Sequence, residues 1–120
     1  MTQKRWKTRI KKACQQAETY LPIFDSVIDT LASILARRDE AIQLFEDDGS
    51  RMLVEHTNKV GATNVEQNPL LRMINDLNRD ALSYWRDLGL TPAGLKKINE
   101  TALKGQKMDA LSAALKELGG

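Results

Sequence analysis

The sequence predicts an all-α fold: an antiparallel hairpin of two long helices flanked by short helices. Three observations lead there. Aromatic residues make up only 5 % of the 120 residues against 42 % apolar overall, so a core must come from Leu, Ile and Ala. Two long stretches repeat apolar residues at three- and four-residue steps, the period of one helix face. Proline and glycine fall at the ends of those stretches and not inside them.

The first segment, residues 3 to 20, places Trp6, Ile10, Ala13, Cys14 and Ala17 on one face and Lys and Arg on the other. A helix is expected to end near Tyr20-Leu21-Pro22, because proline disfavours helical backbone in the residue before it. The second begins at Pro22, with Asp25 in the opening turn where a negative charge suits the helix dipole. Phe24, Ile28, Leu31, Leu35, Ile42 and Phe45 form its stripe, with Arg38 on the one missing rung. Val27, Ile34, Ala41 and Leu44 widen it. About 25 residues, roughly 37 Å of helix, should end at Asp47-Asp48-Gly49-Ser50, with Gly49 in the left-handed cap.

Residues 51 to 67 break the period. A small β-hairpin or an extended loop fits there, with Asn58 to Gly61 as its turn. Asn68 then caps and Pro69 opens a second long helix. Leu70, Ile74, Leu77, Ala81, Tyr84 and Leu88 form its stripe, flanked by Leu71, Met73, Leu82 and Trp85, and Gly89 ends it. Thr91 and Pro92 start a further helix with Leu95, Ile98 and Ala102 inward. Gly105 should separate off a last short helix carrying Met108, Leu111, Leu115 and Leu118. The organisation expected is a basic N-terminal arm (1–20), a hairpin body (21–89, connector 50–67) and C-terminal short helices (90–120). Two wide stripes on one hairpin exceed what the short helices can cover, so self-association is expected. Its contacts should involve Phe24, Ile28, Leu31, Leu35, Ile42, Leu70, Ile74, Leu77, Tyr84 and Trp85.

Charge is uneven. Lys4, Arg5, Lys7, Arg9, Lys11 and Lys12 lie within residues 1–12 without an acid, while residues 21–50 hold seven Asp and Glu against two Arg. An acid-free cationic helix suits phosphate contact, so these six residues are the candidates for binding DNA. The single cysteine excludes an intrachain disulfide and fits a reducing cytoplasm. The most apolar run, Ser26 to Ala36, is interrupted by Asp29 and too short to span a bilayer. No export signal precedes it.

Enzyme chemistry finds little support. There is no phosphate-binding loop, dinucleotide fingerprint, zinc-protease motif or cysteine pair. His56 is the lone histidine and sits in the connector. Cys14, on an apolar helix face, reads as a small core residue. Glu46-Asp47-Asp48 lacks the alternating ligands of a calcium loop and reads as a solvated helix end. No metal or cofactor is expected. Gly-Leu-Thr between two helices offers another reading, a dimeric helix-turn-helix transcription regulator. Against it, Trp85 sits four before Gly89, where that motif wants a small residue, and Gly94 falls inside the reading helix.

The order Asn58-Lys59-x-Gly61, Asn68-Pro69-Leu70, a helix, then Leu88-Gly89-Leu90-Thr91-Pro92 resembles the small subunits of phage terminases, from about Leu21 to about Leu103. After Pro92 that family usually continues with small polar residues and an arginine, where Ala93, Gly94 and Leu95 stand here. The resemblance implies a non-enzymatic, ring-forming factor acting in the host cytoplasm. It would recognise double-stranded viral DNA and deliver it to the large terminase subunit, the ATPase and nuclease. On that analogy the segment after Thr91 could dock the large subunit.

Overall fold

Thr2 opens the first helix: its hydroxyl accepts the backbone N–H of Arg5 at 3.3 Å, satisfying one of the free donors at a helix start. From there the computed structural model describes residues 1–119. The order is α1 (Gln3–Gln16), a 3-10 turn (Pro22–Phe24), α2 (Asp25–Asp47), β1 (Leu53–Thr57), β2 (Thr63–Gln67), α3 (Pro69–Asp87) and α4 (Pro92–Gly119). The molecule is mostly helical and elongated, 86 × 27 × 21 Å.

Helix α1 stops short of the expected end near Tyr20. Glu18 takes a left-handed conformation, φ 59°, and the N–H of Thr19 reaches back to the Cys14 carbonyl at 2.9 Å. Left-handed backbone in a residue with a Cβ costs about 1–2 kcal/mol, so composition gives no hint of this stop. The compensation is tertiary. Thr19 is buried and packs over Gly89 at the far end of α3, where an added Cβ would stand 3.0 Å from the Thr19 methyl. Gly89 has φ 71°, so it supplies both the backbone conformation and the space.

The connector is a two-stranded antiparallel hairpin, with Leu53 opposite Gln67 and Thr57 opposite Thr63. Its turn is built by Asn58, whose side-chain oxygen accepts from the N–H groups of Val60 and Ala62 at 3.1 and 3.0 Å. Both strands are exposed apart from half-buried Val54. Asn68 joins this hairpin to α3. Its side-chain oxygen caps Leu70 at 3.1 Å and its amide donates to the Arg51 carbonyl at 2.9 Å. Its backbone N–H bonds Met52 at 2.8 Å. A buried amide with these partners is well satisfied.

Helices α2 and α3 fold back on each other, and α1 lies along α2. The core joins Ile10 and Cys14 of α1, Ile28, Leu31, Ala32 and Leu35 of α2, and Ala81 and Leu88 of the α3 end. It occupies the half of the hairpin that α1 covers. Beyond Ala41, among the described residues, no third helix lies over the α2–α3 pair, and Ile42, Phe45, Leu70, Ile74 and Leu77 stay half-buried.

The chain after Gly89 differs from expectation. Gly105 does not divide it: α4 is one helix of 28 residues, so the C-terminal part is not a pair of short helices. A single glycine costs a helix about 1 kcal/mol, and no proline or capping residue accompanies it. The side chains of Ala102 and Met108 lie outside the described residues. Thr91 caps α4 as its position predicts, accepting the Gly94 N–H at 3.0 Å.

Gly94 has a packing role that its helix propensity hides. A Cβ there would run into the Arg86 carbonyl oxygen and sit 3.0 Å from the Thr91 hydroxyl. The first turn of α4 therefore lies directly against the last turn of α3. Gly94→Ala is expected to push α4 off α3 and destabilise the fold by about 2 kcal/mol, read as a lowered Tm in thermal unfolding. An unchanged Tm would mean that the two turns do not touch.

Candidate nucleic-acid interface

Successive helical residues turn by about 100°, so α1 distributes its six cations around the axis. Lys4, Arg5, Arg9 and Lys12 are exposed on the side away from Ile10 and Cys14. With Met1 and Thr8 they line a shallow groove of about 430 Å³. Lys7 and Lys11 turn toward the body. Lys7 pairs with Asp29 at 3.8 Å. The Lys11 ammonium lies 5.0 Å from the centre of the Tyr20 ring, and the Tyr20 hydroxyl donates to Asp25 at 2.9 Å. Tyr20, and Asp25 behind it, raise the Lys11 pKa above its ordinary value.

The rotation of α1 is fixed at its start by Trp6. The indole N–H donates to Asp39 Oδ2 at 2.7 Å. The guanidinium groups of Arg9 and Arg38 each lie 5.5 Å from the indole ring centre. Arg38 also donates to Asp39 Oδ1 at 3.2 Å and to Asn78 of α3 at 3.3 Å. The cation on the missing rung of the α2 stripe thus touches both neighbouring helices. Its Nε is buried without a hydrogen-bond partner. Asp39 also accepts the Met1 amino group at 2.9 Å. Partial burial alone would raise the Asp39 pKa. Hydrogen bonds from Met1, Trp6 and Arg38, with the positive charge on Met1, outweigh burial and hold it below the ordinary 3.8.

Sequence reading missed Arg37. It is exposed on α2, inside the acidic stretch that drew attention from it, and faces Arg5 across a second groove of about 570 Å³. Glu40 lines the same groove, so it is less purely cationic than the first. The stripe period offered a clue, since Arg37 lies off both buried faces of α2.

The residues expected at subunit contacts fall into two groups. Ile28, Leu31 and Leu35 are enclosed in the chain's own core, and Phe24, Tyr84 and Trp85 pack against it. Ile42, Leu70, Ile74 and Leu77 are half-buried on the uncovered half of the hairpin. Leu44 on α2, with Met73 and Leu82 on α3, is exposed.

The other candidates take quiet positions. Cys14 is fully buried, and burial pushes its thiol pKa up against a weaker opposing hydrogen bond from Thr19, which disfavours the reactive thiolate. His56 is exposed on β1 opposite Asn64. Asp47 accepts from Gln43 at 2.8 Å and Asp48 pairs with Arg51 at 2.8 Å, so both acids are engaged locally. Lys96 and Lys97 on α4 are exposed. A cleft of about 620 Å³ between the α3 end and the first half of α4 is lined by Arg86, Asp87, Gly94, Lys97 and Ile98, among others. Among the described residues, no helix is long and apolar enough to cross a membrane.

A family model described as phage terminase, small subunit, matches residues 2–104. The match takes in α1, upstream of the residues on which the sequence resemblance rests. No curated protein and no solved structure matches the chain.

The Asp39 cluster gives a pH prediction. A carboxyl whose folded pKa lies below its unfolded one stabilises fully above the unfolded value, and that contribution disappears as pH falls through the folded one. Below pH 3.8 the native chain should therefore lose stability more steeply than Asp39→Asn, the two curves converging in acid. Denaturant unfolding across that range measures it. Parallel curves would show that Asp39 is not held by these donors.

Proposed function

Because the chain belongs to the phage terminase small-subunit family, we propose that it binds double-stranded viral DNA through the outer face of α1. In this reading copies assemble into a ring in the host cytoplasm and present the DNA to the large subunit. The observation that carries the reading is the acid-free set Lys4, Arg5, Arg9 and Lys12, exposed together on a helix whose rotation Trp6 fixes. Lys4 to Lys12 spans about 12 Å of helix at 1.5 Å per residue, comparable to three or four base-pair steps of about 3.4 Å. Cations so placed displace counterions from the phosphate backbone and bind without reading base sequence. Lys7 and Lys11, tied to Asp29 and Tyr20, contribute less. Arg37 adds a cation beside Arg5.

The ring rests on the uncovered half of the hairpin. Ile42, Leu70, Ile74 and Leu77, with exposed Leu44 and Met73, leave an apolar surface of the kind that marks an interface. Residues 21–89 form the body of the assembly. The cleft between α3 and the first half of α4 is the surface offered to the large subunit. Chemistry stays with that partner, and no catalytic step is assigned to this chain.

Two measurements test this. Light scattering of the native chain should give a mass several times 13.5 kDa; a monomer at micromolar concentration contradicts the ring. Replacing Lys4, Arg5, Arg9 and Lys12 by Gln should weaken duplex binding by roughly ten- to a hundredfold at low salt and flatten its salt dependence. Lys7→Gln with Lys11→Gln should do much less. If the fourfold variant binds normally while Lys96→Ala or Lys97→Ala abolishes binding, α4 is the reading helix of a regulator. A flat titration of the native chain would leave a scaffold without DNA affinity.

A further inference from the structure

Several arginines are engaged within the chain. Arg9 and Arg38 lie over Trp6, and Arg51 and Arg79 pair with Asp48 and Asp76. Arg5 and Arg37 are the contrast. Both are exposed, and among the described residues no carboxylate forms an ion pair with either. They meet at the groove of about 570 Å³ between the start of α1 and the middle of α2, one from each helix. Two positive groups at one recess repel each other, and an anion between them turns that repulsion into attraction.

Small side chains make the recess. Ser33, Ala36, Arg37 and Glu40 fall within roughly 100° of arc on α2, and Ser33 and Ala36 give it a low floor. The Ser33 hydroxyl donates to the Thr30 carbonyl at 2.7 Å, so its proton is already committed inside α2. The two guanidiniums are then the strong donors of the groove. Its α1 side is fixed, because the Gln3 amide donates to Asp29 at 3.2 Å and the Met1 amino group to Asp39 at 2.9 Å. Packed helices stand about 8–10 Å apart, a span that two arginine side chains can close onto one phosphate. Arg5 also lines the first groove with Lys4, Arg9 and Lys12. The recess therefore continues the cationic face of α1 onto α2. Glu40 is the carboxylate among its lining residues, and it makes no ion pair with either arginine.

We infer that this recess seats a single backbone phosphate of duplex DNA, held by Arg5 from α1 and Arg37 from α2, with Glu40 as a fixed anion that loosens the hold. The planar fork of a guanidinium matches the oxygens of a phosphate, which a lysine ammonium does not. A strand held this way is gripped by two helices of set spacing, so the place where the duplex crosses α1 is fixed as well. The contact reads no base. The inference rests on the proposed DNA binding and adds α2 to it as a second point of contact.

Binding of a duplex of arbitrary sequence, measured across a salt series, tests the seat. Arg37→Gln changes one exposed side chain, so helical circular dichroism should match the native chain. Its affinity at low salt should fall about tenfold, and the slope of log affinity against log salt should flatten by about 0.9, the value for one phosphate. Arg5→Gln/Arg37→Gln should flatten the slope by the same single step, since both groups serve one phosphate. A drop of about two steps assigns them to separate phosphates and overturns the shared seat. Glu40→Gln should bind roughly threefold tighter at low salt; unchanged or weaker binding overturns its part. Arg72→Gln removes an exposed cation on α3 and should bind as the native chain does. A loss there equal to that of Arg37→Gln would show that net charge alone governs binding, and would overturn the seat. If Arg37→Gln binds normally while the fourfold α1 variant loses binding, the seat is wrong and the α1 reading stands. A native chain that binds no duplex removes both.

Discussion

The arrangement depends on one cluster, the Trp6 indole held between Arg9 and Arg38 with its N–H on Asp39. Helix α1 contributes only Ile10 and Cys14 to the buried core, too little to fix its rotation against α2. The cluster sets it. Partly exposed ion pairs are individually worth about 0–1 kcal/mol, and cation–aromatic contacts about 0.5–1 kcal/mol. The strength here comes from sharing, since Asp39 receives Trp6, Arg38 and the Met1 amino group, and Arg38 also reaches Asn78 on α3. Lys11, Tyr20 and Asp25 make a second anchor nearer the other end of α1. Between these anchors the helix has one orientation, and that orientation turns Lys4, Arg5, Arg9 and Lys12 outward.

Much of this was legible in the sequence where a local rule governs. Asn68-Pro69 and Thr91-Pro92 cap and open helices because the cap geometry is local, and Asn58 builds its turn from its own side chain. The stripes of α2 and α3 mark one helix face each. What escaped depends on distant partners. The stop at Glu18 requires Thr19 to lodge against Gly89, some seventy residues on, and no glycine announces it. Gly105 suggested a break that neighbouring helix formers carry through. Arg38 stood out as a gap in a stripe, yet its use as a bridge needed Trp6 and Asn78 in place. The split of the six cations was partly readable, since Arg5 and Lys12 lie nearly opposite Ile10. The engagement of Lys7 and Lys11 needed Asp29 and Tyr20 to be located.

The corner at Gly89 and Gly94 links these features. By admitting Thr19 and Ile98 over Gly89, and α3 against Gly94, it ties the end of α1 and the start of α4 to one point. It is the close helix contact that the tight turn suggested, made by the glycine that seemed to argue against one. From it α4 runs on to Gly119, with Leu111, Leu115 and Leu118 exposed.

Amide hydrogen exchange with and without duplex DNA at low salt tests the central claim most directly, because it reports which helix meets the phosphates without altering a residue. The account predicts added protection within Gln3–Gln16 and little change across the exposed turns of α4 that bear Lys96 and Lys97. Protection confined to the first half of α4, with α1 exchanging as before, would contradict it.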